Sequence, residues 1–265
     1  MERDASRVAD DAIATARDLL REASRVVVLT GAGISAESGV PTFRGGDGLW
    51  KTHRAEDLAT PEAFARDPRL VWEWYGWRRE VVAACAPNAA HHALAAAARE
   101  RPGLRIITQN VDGLHAMAAG NDGARPLELH GSLFRTQCTR CAASWDDRQP
   151  VDATSGTTLP RCAECRALAR PGVVWFGESL DPRVLGDAVR RASAADACLV
   201  VGTSAVVYPA AGLADLTRRA GGSVIEVNVT PTPLTSIAAV AIRGTAVSVI
   251  PSLFATDSTP APPSR

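Results

Sequence analysis

Val26-Val27-Val28-Leu29-Thr30-Gly31-Ala32-Gly33-Ile34-Ser35-Ala36 is a short, wholly apolar run that stops at a glycine turn. Four consecutive branched apolar residues predict a strand buried on both faces, as in a parallel sheet. Similar runs predict strands at 104–107, 197–201, 223–227 and 246–250. Helical patterns fill 5–23, 88–100, 183–194 and 209–220. Strand alternating with helix at this scale predicts an α/β protein with a parallel sheet. Two segments break the rhythm. Residues 44–79 are rich in Arg, Trp and helix formers, and residues 132–172 carry cysteines and turn-prone clusters. Both are expected to be insertions forming a smaller domain over the sheet. The Pro-rich end, 257–265, is expected to be a disordered tail.

Cys138, Cys141, Cys162 and Cys165 form two C-x-x-C pairs separated by twenty residues. This spacing predicts one zinc ion held by four thiolates. Four cysteines leave no open coordination position, so the metal is expected to be structural. Cys85 and Cys198 are read as small apolar residues.

The 265 residues carry 22% charged side chains and no net charge, and Lys51 is the only lysine. A neutral chain offers no basic face for nucleic acid and no membrane-surface bias, so neither partner is expected. No stretch approaches the roughly 20 apolar residues that span a bilayer. The N-terminus is charged and amphipathic without the apolar segment of a secretory signal, and a cytoplasmic protein is expected.

Polar and glycine residues gather at the predicted strand ends, where ligands bind in open α/β sheets. Gly31-x-Gly33-x-x-Ala36 suits backbone approach to a pyrophosphate, with a helix starting near Ser35, or else is an ordinary tight turn. Thr108 to His115 is a ligand-binding loop or an Asx-capped turn. Gly202-Thr203-Ser204 and Asn228 follow two further strands, so the strand ends point to one crevice.

Taken together, these segments resemble the sirtuins, the NAD-dependent protein deacylases. The resemblance rests on Gly31 to Arg44, Thr108 to His115, Leu129-His130-Gly131, both cysteine pairs, Arg170 to Glu178 and Gly202-Thr203-Ser204, in family order across roughly residues 20 to 250. It implies a Rossmann-like domain (1–43, 80–131 and 173–256) with a helical insertion (44–79) and a zinc-binding insertion (132–172). NAD is expected to be consumed in the cleft between them. It further implies a cofactor-binding set of Gly31, Ala32, Gly33, Ile34, Ala36, Phe43, Arg44, Gln109, Asn110 and Asp112. Gly202, Thr203, Ser204, Asn228 and Ala246 are expected along the adenosine half. His130 matches the general base, and Asn110 stands beside it as a catalytic residue. Val174, Trp175, Phe176, Gly177 and Glu178 resemble the strand that pairs with an acylated-lysine substrate. A neutral imidazole near pH 7 can take a ribose hydroxyl proton, and positioning must do most of the rest.

Tyr75-x-x-Arg78 is similar to the pair marking the sirtuins that remove malonyl, succinyl and glutaryl groups. Residues at i and i+3 share a helix face, so both tips are expected at the carboxylate of an acidic acyl group. Ala55 matches a small residue in the same pocket. Arg79 is the rival for the role of Arg78. Weaker deacetylation is expected alongside. The competing functions are an NAD-dependent protein ADP-ribosyltransferase and a non-catalytic NAD-responsive binding module; a zinc-ribbon nucleic-acid binder is disfavoured by charge. A monomer is expected.

Overall fold

The computed structural model describes residues 2–42, 49–121 and 123–255. Phe43, Arg44 and the tail 257–265 therefore lie outside the described residues. Helix α1 (Glu2–Glu22) leads into strand β1 (Val26–Thr30). The first insertion holds β2 (Leu49–Trp50), β3 (His53–Arg54), α2 (Ala55–Leu58), α3 (Pro61–Arg66) and α4 (Pro68–Ala83). Then come α5 (Ala89–Glu100), β4 (Leu104–Thr108), α6 (Leu114–Ala119) and β5 (Leu127–Glu128). The cysteine segment contributes β6 (Gly131–Cys138), β7 (Ser144–Asp146) and β8 (Ala169–Val173). The chain ends with α7 (Pro182–Ala194), β9 (Ala197–Val201), α8 (Leu213–Arg219), β10 (Ser223–Asn228), β11 (Val240–Arg243) and α9 (Ala246–Phe254).

Six strands form a parallel sheet in the order β5-β4-β1-β9-β10-β11. The chain runs outward from β1 in one direction and then returns to build outward from β9 in the other, so the order reverses between them. A crevice opens at the strand ends at such a point. Strand alternation explains the unbroken apolar run. Val26 and Val28 pack with Leu20, Leu94 and Ile250 on one face of the sheet. Val27 and Leu29 pack with Ala188, Ala192 and Leu213 on the other. A third core, with Trp72, Trp74, Tyr75, Leu133, Phe134 and Trp175, joins the helical insertion to β6 and the segment after β8. The cysteine segment adds an antiparallel sheet, β7-β6-β8.

Residues 246–250, expected as a strand, are helical. Thr245 caps α9 by accepting from the Ser248 amide at 3.3 Å. Ala246, Val249, Ile250 and Leu253 then lie at helical spacing and enter the core. A five-residue apolar run suits either state, and flanking residues decide. The strand in this region is β11, pairing with β10 from Ile225↔Val240 to Asn228↔Arg243.

No α-helix starts near Ser35. Two 3-10 turns, Ala32–Ile34 and Ala36–Ser38, end at Gly39 with φ +89°. Asn88 fixes this geometry, its Nδ2 donating to the Ile34 carbonyl at 2.8 Å and to Ser38 Oγ at 2.9 Å. Strand β8 stops at Val173, and 174–178 form a turn with φ +83° at Gly177, not the expected strand. The Val174 amide donates to the His130 carbonyl and the Phe176 amide to that of Ala59.

Candidate active site

The two glycine turns meet at the switch point. The Gly31 amide donates to the Val201 carbonyl at 3.0 Å and the Gly33 amide to the Gly202 carbonyl at 2.8 Å. A Cβ on Gly33 would stand 2.7 Å from Gly202 Cα, and one on Gly31 would stand 2.8 Å from Thr203 Cβ. These glycines are required because two backbone turns touch, and their amides are spent on that contact. Pyrophosphate approach alone does not account for them.

Beside this contact lies a cavity of about 340 Å³. Of the residues singled out in the sequence, it gathers Gly31, Ala32, Gln109, Asn110, Asp112, His130 and Thr203. It also gathers Ala55, Arg78 and Val174 through Glu178. Gly33, Ile34, Ala36, Gly202, Ser204, Asn228, Ala246 and Tyr75 are not in its wall. Ile34 and Ala246 are buried in the core. Asn228 Nδ2 donates to the Thr203 carbonyl at 2.7 Å. Ser204 Oγ is buried with no hydrogen-bond partner.

His130 sits between β5 and β6. Its Nδ1 lies 2.9 Å from the Gln109 carbonyl, which can only accept. Nδ1 therefore carries the proton, and Nε2 is the basic nitrogen. Burial lowers the His130 pKa, opposed by that hydrogen bond, so the ring is neutral near pH 7. Asn110 is held by its own side chain, with Nδ2 donating to the Gly31 carbonyl and to Ser35 Oγ, both at 3.1 Å. Gln109 Nε2 donates to Thr203 Oγ1 at 3.0 Å, tying the β4 and β9 ends together. Asp112 is buried and accepts from the Leu114 amide at 2.9 Å. Burial raises its pKa, while Ser35 and Arg78 pull it down.

A buried polar cluster behind the cavity went unread in the sequence. His115 Nε2 lies 2.9 Å from Thr30 Oγ1, which donates to Thr108 Oγ1 at 2.9 Å. His91 packs edge-on to His115 with ring centroids 4.7 Å apart, and its Nε2 is 3.4 Å from Ser35 Oγ. Val207, Tyr208 and Pro209 also line the cavity. Their one sequence signal was position, directly beyond the Gly202-Thr203-Ser204 strand end.

Helix α4 presents its two arginines oppositely. Arg78 lines the cavity, its guanidinium 4.9 Å from the Trp74 ring centroid. Arg79 is turned into β6, donating to the Leu133 carbonyl at 2.7 Å and to Thr136 Oγ1 at 3.1 Å, with Asp147 at 3.5 Å. Tyr75 is 1% exposed and lies behind the cavity wall, its hydroxyl accepting from Trp175 Nε1 at 2.9 Å.

The four cysteine sulfurs all lie within 4.8 Å of one another. The Arg140 and Cys141 amides point at Cys138 Sγ, at 3.3 and 3.4 Å, as backbone donors do toward thiolates. The four thiols are positioned to bind one zinc ion.

The fold and crevice define a Rossmann-like nucleotide-binding protein with a four-thiolate metal module. Comparison with known proteins narrows this. The Sir2 family model matches residues 31–209, and the chain belongs to that family. It is 50% identical over 237 residues to the NAD-dependent protein deacylase 2 of Pyrobaculum aerophilum, covering 89% of this chain and 92% of the relative. It is 48% identical to the NAD-dependent protein deacylase of Pyrococcus furiosus, covering 89% and 94%. Among solved structures, a Sir2 homologue in complex with NAD superposes with a TM-score of 0.84 at 48% identity, covering 90% of this chain and 91% of that one. A Sir2 protein with a p53 peptide and NAD+ gives 0.76 at 34% identity, covering 87% and 92%.

Proposed function

We infer that this protein is an NAD-dependent protein-lysine deacylase that favours acyl groups ending in a carboxylate. The observation that carries the acyl reading is Arg78, a cation in the wall of the same cavity that holds His130, Asn110 and Asp112. NAD supplies the ribose carbon that receives the acyl oxygen as nicotinamide leaves, and water then cleaves the acyl carbon from the lysine nitrogen; the products are nicotinamide, free lysine and O-acyl-ADP-ribose.

His130 Nε2 accepts a ribose hydroxyl proton, and the Gln109 carbonyl holds the ring in the tautomer that permits this. Asn110, Gln109 and Thr203 orient the nicotinamide ribose. Asp112 and the backbone near Ile34 hold the carboxamide. Gly202, Ser204, Asn228 and Ala246 serve the adenosine half. Phe43 and Arg44 belong to the same loop by sequence. The turn Val174 to Glu178 seats the substrate main chain. Ala55, Trp74 and Val82 line the same cavity as Arg78. A guanidinium fork there suits a carboxylate, and an uncharged acyl group forfeits that charge-assisted pairing.

Zinc held by Cys138, Cys141, Cys162 and Cys165 stabilises the antiparallel sheet and takes no part in chemistry. The division into a Rossmann-like domain with helical and zinc-binding insertions is part of the same proposal, as are a monomeric state and a cytoplasmic location. Among the described residues no helix is long and apolar enough to cross a membrane.

A side-by-side assay tests the reading. Acetyl-, malonyl-, succinyl- and glutaryl-lysine peptides are compared with NAD, following nicotinamide and free lysine. A higher kcat/KM on the acidic peptides is expected. Equal or better turnover of acetyl-lysine would reject the acyl preference. ADP-ribose appearing on protein, with no free lysine, would favour the transferase alternative.

A further inference from the structure

Arg170 stands on β8, outside the cavity wall, and its side chain runs forward over the turn that follows the strand. Its Nη2 donates to the Val173 carbonyl at 2.9 Å. Nη1 and Nη2 each meet one carboxylate oxygen of Glu178, the second at 2.9 Å. The guanidinium carbon lies 3.4 Å from the Trp175 ring centroid, within stacking distance of the indole. The ion pair is largely shielded from water, with the two side chains 15% and 25% exposed.

Glu178 closes the turn with both its backbone and its side chain. Its amide donates to the Trp175 carbonyl at 3.0 Å. Its Oε2 accepts from the Trp175 amide at 2.8 Å. Gly177, third residue of this four-residue turn, has φ +83°, as a type II turn requires there. The turn is also tied outward. The Val174 amide reaches the His130 carbonyl and the Phe176 amide the Ala59 carbonyl, both at 2.9 Å. Arg170 thus grips from behind a turn whose front, Val174 to Glu178, lines the cavity.

We propose that Arg170 is a positioning residue for the main chain of the substrate, acting through Glu178 and Trp175, and that the Glu178 carboxylate serves the turn instead of touching the substrate. This rests on the reading of 174–178 as the turn that seats the substrate main chain. Recognition through backbone groups depends on their being fixed in advance, because a loop that orders only on binding costs affinity. A planar guanidinium can hold a carboxylate with two prongs and stack on an indole at once, which the point charge of a lysine cannot. Removing Arg170 would leave the Glu178 carboxylate largely shielded and without its cation, so the turn would have to open to rehydrate it.

The test compares two substrates carrying the same acyl group: an acyl-lysine peptide, and a blocked acyl-lysine with no flanking residues. The ratio of their kcat/KM values is taken for the unaltered protein, Arg170→Met, Arg170→Lys, Glu178→Gln and the Arg170→Met, Glu178→Gln double variant, so general loss of activity cancels. The unaltered protein should favour the peptide. Arg170→Met should lower that advantage roughly tenfold, through KM of the peptide, with KM of NAD unmoved. Arg170→Lys should recover only part of it. The double variant should be no worse than Arg170→Met alone, since the two residues act as one unit. An advantage untouched by Arg170→Met, additive losses in the double variant, or equal rises in KM of NAD and of the peptide would each overturn the proposal. Should Arg170→Met fail to fold, Glu178→Gln decides, because it keeps an acceptor for the Trp175 amide and gives up the ion pair; an unchanged advantage there overturns the proposal equally. An unaltered protein that turns over both substrates alike would instead reject the reading of 174–178 as the main-chain seat.

Discussion

His130 and Gln109 are joined by a 2.9 Å contact between Nδ1 and a backbone carbonyl, which fixes the histidine tautomer before any substrate arrives. Because burial holds the His130 pKa below its usual value of 6.5, the basic form dominates at neutral pH. The kcat/KM profile should therefore rise with pH through a limb below 6.5 and be flat by pH 7. His130→Ala should lower turnover by roughly 10²–10⁴-fold. Circular dichroism should show an unchanged fold, and retained turnover would refute the base assignment.

Arg78 and Arg79 are adjacent in sequence but face different neighbours, so their substitutions should separate. Arg79→Met strands the Leu133 carbonyl, Thr136 and the largely buried Asp147. It should cost about 3–5 kcal/mol in urea unfolding and leave the succinyl-to-acetyl ratio alone. Arg78→Met should shift that ratio with a smaller stability cost. The reverse pattern would mean that the two have been assigned the wrong way round.

The contact between the glycine turns predicts a backbone phenotype. A methyl at Gly33 would meet Gly202 Cα at 2.7 Å, where no flexible side chain can yield. Gly33→Ala should spread the β1 and β9 ends, cost on the order of 1–3 kcal/mol, and weaken NAD binding in a titration. Gly76→Ala, with nothing within 4 Å of its Cβ, is the matched control.

Metal removal should act on structure first. Four thiols drawn within 4.8 Å of one another lose their reason to converge without an ion. A strong chelator should lower the thermal midpoint, with zinc binding worth on the order of 10 kcal/mol to the module. Activity should fall along with it because β6 begins at Gly131, the residue after His130. Re-addition of zinc should restore both; full activity in zinc-free protein would contradict the structural role.

The buried histidines make acid stability a readout of the inner cluster. Burial lowers the His115 pKa to about 3 and the His91 pKa to about 4. Both folded values lie below the usual 6.5, so the unfolded chain binds more protons in that window. The stabilisation is present in full above pH 6.5 and is lost as pH falls from there toward 4 and then 3. Urea unfolding at stepped pH should show a loss of a few kcal/mol across this range. His115→Gln should flatten the slope; cysteine protonation, common to both proteins, cancels in the comparison.

Much of this was legible in the sequence because it is local. Valine-rich runs broken by glycine specify buried strands whatever surrounds them. Two C-x-x-C pairs specify a metal site because each pair spans a single tight turn. The order of polar strand ends then implied one crevice, and the cavity does bring His130, Asn110, Asp112 and Arg78 together. The segment 246–250 was misread because five apolar residues carry no period of their own. Its helical state is set by the Thr245 cap and by the core that receives Val249 and Ile250.

The sequence by itself determined the α/β sheet, the polar strand ends and the metal module, since periodicity and short spacing are properties of neighbouring residues. Only the tertiary structure decided which arginine of α4 faces the cavity, that Tyr75 sits behind its wall, and that Gly33 serves a turn-to-turn contact. Those outcomes depend on how α4, β6 and the turn after β8 pack around a shared aromatic core. Contacts between residues 100 positions apart, such as Trp175 with Tyr75, leave no trace in local pattern.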